Sequence, residues 1–242
     1  MEFKNLDNIN VTVLTSTNVN IPSYTTTQIS FPAVSLPEAG TYVVQVKTLL
    51  GSDANSVNDT TSMSFKALLG LHGTLTVGSG STNYKSISGI LDTLAQVGVD
   101  QPLEVSLVNN SYNEIAPVII DSIQGASAVN TVTFHSGNSG QVIISAPGTS
   151  NTPAAIRLNG CSYVILDSLH IISTGNDGKY GVMITGVSDR TASNNTIQNC
   201  TIENIATTTG FNAGMYGIYL KGYSSSSKDV NNTIKKNTLS TF

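Results

Sequence analysis

Charged side chains are sparse in this chain, so the residues that could carry out acid–base or metal chemistry are few. Asp, Glu, Lys and Arg make up 11% of the 242 residues, and the formal net charge at pH 7 is −4. The three histidines, His72, His135 and His170, fall in separate segments without metal-ligand spacing. No Gly-x-Ser-x-Gly, phosphate-loop or zinc motif occurs. These observations favour a protein without a catalytic centre and without a cofactor.

Two groups of residues are candidates for ligand binding instead. Asp177 and Arg190 lie in two polar insertions, which either neighbour each other and form a site or carry ordinary solvated charges. Four tyrosines flank such insertions, and their rings either stack on sugars or pack between strands: Tyr180, Tyr216, Tyr219 and Tyr223. These six residues form the candidate ligand site.

Composition excludes some partners and suggests a location. The chain has no basic block, which disfavours nucleic acid, and no apolar run of about 18 residues, which excludes a membrane-spanning helix. The first ten residues lack the apolar core of a signal peptide, although the low charge and abundant Thr and Asn are typical of secreted proteins. We therefore expect a fragment of a secreted or cell-surface protein, of which Met1 is not the natural start.

The two cysteines, Cys161 and Cys200, have two interpretations. They are either small, partly buried free thiols or a disulfide. With only two cysteines in 242 residues, the sequence favours free thiols.

The first 67 residues alternate between polar and apolar positions in four short segments. Such alternation between turn residues is typical of antiparallel strands with one buried face: "NINVTVLTS", "TTTQISFPAVSLP", "GTYVVQVKTLLG" and "NDTTSMSFKALLG". Gly40, Thr41 and Tyr42 before an alternating strand resemble the tyrosine corner of immunoglobulin-like sandwiches. Because such a sandwich has about seven strands, residues 1–67 are expected to be the C-terminal part of an immunoglobulin-like module.

Residues 68–242 begin with one short strand and one amphipathic helix. From about 84 to 97, apolar residues recur at helical spacing: Ile87, Ile90, Leu91 and Leu94. No helical period returns after residue 97. We expect this helix to cover the end of a following β structure, whose exposed core and strand edges need a cap.

A repeated phrase indicates what that β structure is. "YGVMITGV" (180–187) returns 36 residues later as "YGIYLKGY" (216–223), and "AAIRLNG" (154–160) opens a similar unit 26 residues earlier. Matched units with insertions confined to their corners indicate a parallel solenoid. An antiparallel sandwich also predicts alternating strands, but it does not predict matched units.

The repeat also predicts which residues stack on each other. The expected stacks are Val164 on Ile197 and Ile234, Leu169 on Ile202 and Leu239, and Ile172 on Ile205 and Phe242. On this alignment Asp167 stacks on Cys200 and Asn237, so no ladder of carboxylates forms. Repeated glycines are expected at sharp turns, and the asparagines of "NNT" at left-handed corners.

The segment after the first module resembles a known superfamily. "GTLTVGSGSTNYKSISGILDTLAQVGV" (73–99), "LEVSLVNNSYNE" (103–114) and "ASAVNTVTFHS" (126–136) look like the opening of pectin-lyase-like right-handed β-helices. Those proteins begin with a cap helix, a strand and a Gly-x-Tyr-x-Glu corner, in which Asn110 here replaces the glycine. The variant with "GTLTVG" before the helix is similar to surface proteins exported by the type IX secretion system of Bacteroidota and relatives, in which immunoglobulin-like modules accompany such helices.

The resemblance implies an all-β protein: a partial immunoglobulin-like sandwich followed by a right-handed parallel β-helix with an N-terminal cap helix, truncated at its C-terminus. Superfamily members that cleave polyuronates hold calcium with clustered Asp or use paired carboxylates. No such cluster is visible, so calcium is only a weak expectation.

Three functions follow from the sequence. The first is a non-catalytic structural or adhesive surface protein, in which the β-helix is a spacer or binds carbohydrate or another surface protein. The second is a polysaccharide lyase or glycoside hydrolase whose catalytic coils lie beyond residue 242. The third is a subunit of an extracellular filament that self-associates through open β edges.

Asp followed by Ser or Thr recurs along the chain and suggests a modification. The pattern resembles the general O-glycosylation motif of secreted Bacteroidota proteins, with acceptors at Thr60, Thr93, Ser122 and Ser168. The alternative is that these pairs are ordinary turn and cap residues.

Overall fold

Short strands form nearly every regular element of the computed structural model, which describes residues 2–4, 10–13, 25–32, 34, 36, 39–48, 57, 59–80, 82–188, 190–205, 215–223 and 228–240. One antiparallel and three parallel sheets are present, with one short helix, in the described part of the chain. The protein is therefore all-β. Its chain divides into two compact units, residues 1–69 and 70–242.

The first unit contains the antiparallel sheet. Its strands are β1 (Glu2–Lys4), β2 (Asn10–Val13), β3 (Gly40–Lys47) and β4 (Thr60–Ala67), in the order β2-β1-β3-β4. The register of β3 and β4 places Tyr42 opposite Phe65, and their rings stack with centroids 5.9 Å apart. Tyr42 is buried, as the core position of an alternating strand requires.

One predicted strand of this unit is wrong. The described residues of "TTTQISFPAVSLP", namely 25–32, 34 and 36, contain no strand. Pro32 interrupts that segment, and proline has no N–H to donate to a sheet. Conversely, Glu2–Lys4 pairs with both β2 and β3, and three residues are too few for alternation to reveal.

The second unit begins with β5 (Leu71–Val77), the helix α1 (Ile87–Val97) and β6 (Val99–Leu107). The strands that follow are β7 (Ser111–Asn113), β8 (Val118–Asp121), β9 (Val132–Ser136), β10 (Val142–Pro147), β11 (Ala154–Asn159), β12 (Val164–Asp167), β13 (Leu169–Thr174), β14 (Tyr180–Thr185), β15 (Thr196–Gln198), β16 (Thr201–Asn204), β17 (Tyr216–Lys221), β18 (Thr233–Lys235) and β19 (Thr238–Ser240).

These strands form three sheets in which all neighbours are parallel. The six-stranded sheet has the order β18-β15-β12-β9-β6-β5, the five-stranded sheet β19-β16-β13-β10-β7, and the four-stranded parallel sheet β17-β14-β11-β8. From β6 onward the chain visits the six-stranded, five-stranded and four-stranded sheets in turn and then returns to the first. We call each such round of three strands a coil. Aliphatic side chains that point inward from successive coils form one continuous buried core.

The helix closes one end of the coils. It begins at Ile87, three residues later than expected, because Ser86 is the N-cap and its hydroxyl accepts the N–H of Gly89 at 3.1 Å. Ile87, Ile90 and Leu94 are buried as predicted. The helix packs against β5 and β8, which are the first strands of the six- and four-stranded sheets.

The predicted stacking is correct in the four-stranded sheet. It is also correct at the last step of the other two parallel sheets, where Ile197 pairs with Ile234 and Ile202 with Leu239, but it is shifted by two residues one step earlier. Tyr180 pairs in register with Tyr216, as the repeated phrase indicates. In the six-stranded sheet, however, Ile197 pairs with Leu166 rather than Val164. In the five-stranded sheet, Ile202 pairs with Ile171 rather than Leu169.

The same shift removes two further expected stacks. Asp167 pairs with Gln198, not with Cys200. Ile172 pairs with Glu203, not with Ile205, and Phe242 lies outside the described residues. Both faces keep their polarity in either register, because a shift of two residues does not change the face of a strand.

Left-handed residues form the corners between sheets. Asn194 and Asn231 have φ values of 59° and 58°, which confirms the role predicted for the "NNT" segments. Ser168 and Asn199 have φ values of 55° and 54°. Each of these two residues divides an apparently continuous strand into two strands that belong to different sheets.

Gly181 serves a different purpose from the one predicted. Its φ is not in the left-handed region, unlike those of Gly160 and Gly175. A Cβ on Gly181 would collide with Cγ2 of Ile202 and would lie 2.9 Å from the carbonyl oxygen of Gly217. Glycine is therefore required here for close packing across the core.

Candidate functional site

The outward face of the four-stranded parallel sheet carries the largest group of aromatic side chains among the described residues of the second unit. Parallel register aligns Ile119, Arg157, Met183 and Tyr219 in one row across β8, β11, β14 and β17. Alternate residues of the same strands, such as Val182 and Ile184, point inward and are fully buried. Strand alternation thus separates a buried aliphatic face from a face that is available to a ligand.

Three tyrosines meet at one corner of this face. The rings of Tyr180 and Tyr219 are stacked, with centroids 4.4 Å apart and planes inclined by 5°. The Tyr216 ring lies 6.0 Å from Tyr180 and 6.2 Å from Tyr219, tilted by 37° and 39°. We call Tyr180, Tyr216 and Tyr219 the tyrosine cluster.

The cluster is partly accessible. Tyr216 is 53% exposed, and Tyr180 and Tyr219 are partly buried. Burial, followed by the neighbouring Tyr219 and Tyr216, raises the pKa of the Tyr180 phenol. The raised pKa keeps the Tyr180 phenol neutral at physiological pH, so its hydroxyl can both donate and accept hydrogen bonds.

A fixed cation, Arg157, lies in the same row of outward side chains as Tyr219, two strands away from it. Nε of Arg157 donates to Oγ1 of Thr185 at 3.0 Å, and Nη1 of Arg157 lies 3.5 Å from Oγ1 of Thr152. Arg157 points outward, because it alternates with the buried residues Ile156 and Leu158. Sequence reasoning missed its placement beside Met183, in the row that ends at Tyr219, because only the register between strands defines that row.

The other candidate ligand residues are not in the cluster. Asp177 precedes β14 and Arg190 follows it, so they lie at opposite ends of a six-residue strand, about 20 Å long at roughly 3.3 Å per residue. Tyr223 follows β17 and is 59% exposed, at the end of the strands where Arg190 also lies. The structure brings three of the six candidate residues together and separates the rest.

Carboxylates and histidines are dispersed over the outer faces. His72 contacts Asp100 at 2.8 Å, His170 contacts Glu203 at 3.0 Å, and Nε2 of His135 lies 3.7 Å from Glu104, in three separate pairs. Among the residues that the structure describes, no three His, Cys, Asp or Glu side chains converge to hold a metal ion.

Asp167 illustrates the structural use of these charges. Its carboxylate accepts hydrogen bonds from Gln198 at 2.7 Å, Asn199 at 2.8 Å and Ser168 at 2.9 Å. Desolvation by burial raises its pKa, but these three hydrogen bonds outweigh burial and leave the pKa lowered. The carboxylate therefore stabilises the corner between the six- and five-stranded sheets.

The candidate glycosylation acceptors differ in accessibility. Thr60 is exposed at the start of β4, and Ser122 is half-buried just after β8. The Thr93 hydroxyl lies inside α1 and donates to the carbonyl of Gly89 at 3.0 Å. The Ser168 hydroxyl donates to Asp167.

In the described part of the second unit, one small groove lies beside Ser122. The groove between α1 and β8, lined in part by Leu91, Asp92 and Ile119, encloses about 110 Å³. Pockets for small ligands usually have volumes of roughly 300 Å³ or more. A ligand of this unit would therefore bind to a surface rather than enter that groove.

Within the described part of the chain, no helix has the length and hydropathy needed to cross a bilayer. Comparison with protein families, curated proteins and solved structures gave no match to this chain.

Proposed function

We propose that this chain is a non-catalytic, secreted or cell-surface protein whose coils display a carbohydrate-binding surface. The observation that supports it best is the tyrosine cluster, which lies on the outward face of a regular parallel sheet that also carries Arg157. Tyrosine offers an apolar ring face to the C–H groups of a sugar and a hydroxyl to its oxygens.

The proposed architecture is a right-handed parallel β-helix of the pectin-lyase-like type, preceded by part of an immunoglobulin-like module. The repeated order of the three parallel sheets and the helix over their first strands support the β-helix. The antiparallel sheet with buried Tyr42 supports the immunoglobulin-like module. Secretion by a type IX system is part of the same proposal and follows from the sequence resemblance.

A long parallel face suits a polymeric ligand better than a small molecule. Neighbouring strands lie about 4.8 Å apart, so the row from Ile119 to Tyr219 presents four side chains at regular intervals. Exposed Tyr216 extends this surface at the outermost of the four strands. Several weak contacts along one polysaccharide would together give a higher affinity than any single contact.

The test is binding of the whole chain to a panel of neutral and acidic polysaccharides by affinity electrophoresis and calorimetry. Tyr216→Ala and Tyr219→Ala are expected to weaken binding, whereas Tyr223→Ala, an exposed tyrosine outside the cluster, is expected to leave it unchanged. Equal effects of all three variants, or no binding to any polysaccharide, would contradict the proposal. New reducing ends or unsaturated products during incubation would instead identify an enzyme.

A further inference from the structure

The tyrosine cluster has a geometry that suits a covalent reaction as well as binding. Tyr180 belongs to β14 and Tyr219 to β17, so their stacked rings, with centroids 4.4 Å apart, join neighbouring strands of two successive coils. The centroid of the Tyr216 ring lies 6.0 Å from that of Tyr180 and 6.2 Å from that of Tyr219. A parallel sheet does not require three phenols within contact distance. In the preceding strand β11, the position of Tyr180 is occupied by Ala154 and the position of Tyr219 by Arg157.

We propose that the tyrosine cluster is a site of oxidative cross-linking, in which a carbon–carbon bond between the rings of Tyr180 and Tyr219 joins β14 to β17. The oxidant belongs to the class of peroxidases that use hydrogen peroxide for one-electron oxidation of phenols. This inference does not depend on carbohydrate binding.

Formation of the cross-link is a two-electron oxidation of the tyrosine pair. Each phenol loses one electron and one proton to give a phenoxyl radical, and the two radicals couple through the carbons adjacent to their hydroxyl groups. The ring hydrogens at the new bond then move to the oxygens, which restores two aromatic phenols. Two hydrogen atoms leave the pair, and they reduce one hydrogen peroxide to two waters.

Accessibility and proximity assign separate roles to the three rings. Tyr216 is half exposed and is the ring that a bulky oxidant can reach. Its short distances to Tyr180 and Tyr219 allow a radical formed on Tyr216 to pass to the more buried pair. The stacking of that pair holds the two rings in contact, so the two radicals can meet by rotation of the rings without rearrangement of the strands.

The surroundings also predict a competing product. Met183 pairs in register with Tyr219 on the same outward face, and its thioether is oxidised by peroxide to the sulfoxide. That product adds one oxygen atom, whereas the cross-link removes two hydrogen atoms. Mass spectrometry distinguishes them.

The chain is well suited to mapping the bond. Trypsin cleaves after Lys179, Arg190 and Lys221, which places Tyr180 in peptide 180–190 and both Tyr216 and Tyr219 in peptide 191–221. After treatment of the whole chain with a haem peroxidase and limiting hydrogen peroxide, we expect monomeric protein with dityrosine fluorescence. We expect its digest to contain these two peptides linked, with a mass two hydrogens below their sum.

Phenylalanine variants identify the rings and preserve packing. Tyr219→Phe and Tyr180→Phe should each abolish the linked peptide, whereas Tyr223→Phe, which removes an exposed tyrosine outside the cluster, should leave its yield unchanged. Tyr216→Phe should slow formation of the link without preventing it. Thermal unfolding of the cross-linked protein should shift to higher temperature, because the bond restrains the unfolded chain in the way a disulfide does.

Three results would overturn the inference: no linked peptide although Tyr223 is oxidised, dityrosine confined to dimers, or an unchanged yield in Tyr219→Phe. Failure of the cross-link with sugar binding intact would reject only this inference. Loss of sugar binding with the cross-link intact would reject only the proposed function.

Discussion

The side chain of Asn232 makes, one coil later, the same pair of backbone hydrogen bonds that the side chain of Asn195 makes. Oδ1 of Asn195 accepts the N–H of Val164 at 3.0 Å, and its Nδ2 donates to the carbonyl of Cys161 at 3.0 Å. Oδ1 of Asn232 accepts the N–H of Asn195 at 2.9 Å, and its Nδ2 donates to the carbonyl of Ala192 at 2.7 Å. Each amide thus joins its own coil to the preceding coil where the chain enters the six-stranded sheet.

The first prediction concerns Asn195, which is fully buried. Asn195→Ala would leave the N–H of Val164 and the carbonyl of Cys161 without partners, and an unpaired buried group costs roughly 1–3 kcal/mol. We expect the free energy of unfolding to fall by about 3 kcal/mol, as measured by urea denaturation. Asn194→Gly is the matched control, because Asn194 is left-handed and glycine accepts that conformation. Equal losses in both variants would contradict the role of the Asn195 amide.

The second prediction concerns close packing at Gly181. Gly181→Ala would place a methyl group against Ile202 and the carbonyl of Gly217, and overpacking of a core costs about 1–3 kcal/mol. Gly140→Ala is the control, because its added Cβ meets no atom within 4 Å and its φ is not positive. Thermal unfolding should show a lower midpoint for Gly181→Ala alone. An unchanged midpoint would show that Ile202 can move aside without cost.

The third prediction concerns pH and Asp167. Its folded pKa is lowered, so it contributes stability above the ordinary Asp value of about 3.9, and that stability is lost as the pH falls through the folded pKa. Asp167→Asn removes this contribution. The native protein should therefore have a higher thermal midpoint than the variant. This difference in midpoint should be largest at neutral pH and smallest in acid. A difference that does not change with pH would reject this account.

The fourth prediction concerns the thiols. Cys161 and Cys200 are free and buried, which agrees with the interpretation favoured from the sequence. Burial raises the pKa of Cys161 to about 12 and that of Cys200 to about 11, and only the thiolate is an effective nucleophile. A thiol reagent at neutral pH should therefore modify neither residue in the native protein and both after denaturation. Rapid modification of the native protein would contradict the buried placement.

Much of the second unit could be predicted because its evidence is local. Helical spacing located Ile87, Ile90 and Leu94 on the buried face of α1, and the repeated Tyr-Gly phrase gave the correct pairing of β14 with β17. Conformational preference also located Asn194 at a left-handed corner. The helix face and the corner depend only on neighbouring residues. The Tyr-Gly repeat is specific enough that its two copies align in only one register.

The register of β12 on β15 and of β13 on β16 could not be predicted, for a physical reason. Val164 and Leu166 both point inward, so either satisfies the core opposite Ile197. The period of a strand is two residues, and a shift of two therefore keeps every side chain on its correct face. The choice depends on packing across the core and on the left-handed residue Ser168, which sequence alternation does not reveal.

The candidate site shows the same division. The sequence identified Tyr180, Tyr216 and Tyr219 as candidates, but it grouped them with Tyr223, Asp177 and Arg190. Only the fold shows that β14 separates Asp177 from Arg190 and that the row through Met183 brings Arg157 toward Tyr219.

The sequence by itself determined that the chain is all-β, that its strands repeat, that one helix precedes the repeats and which residues are apolar on each strand. These properties follow from periodicity and conformational preference, which act over a few residues. The tertiary structure alone decided the register of β12 on β15 and of β13 on β16, and which outward side chains become neighbours. Those relationships join residues such as Tyr180 and Tyr219, far apart along the chain, and they are set by the packing of the whole core.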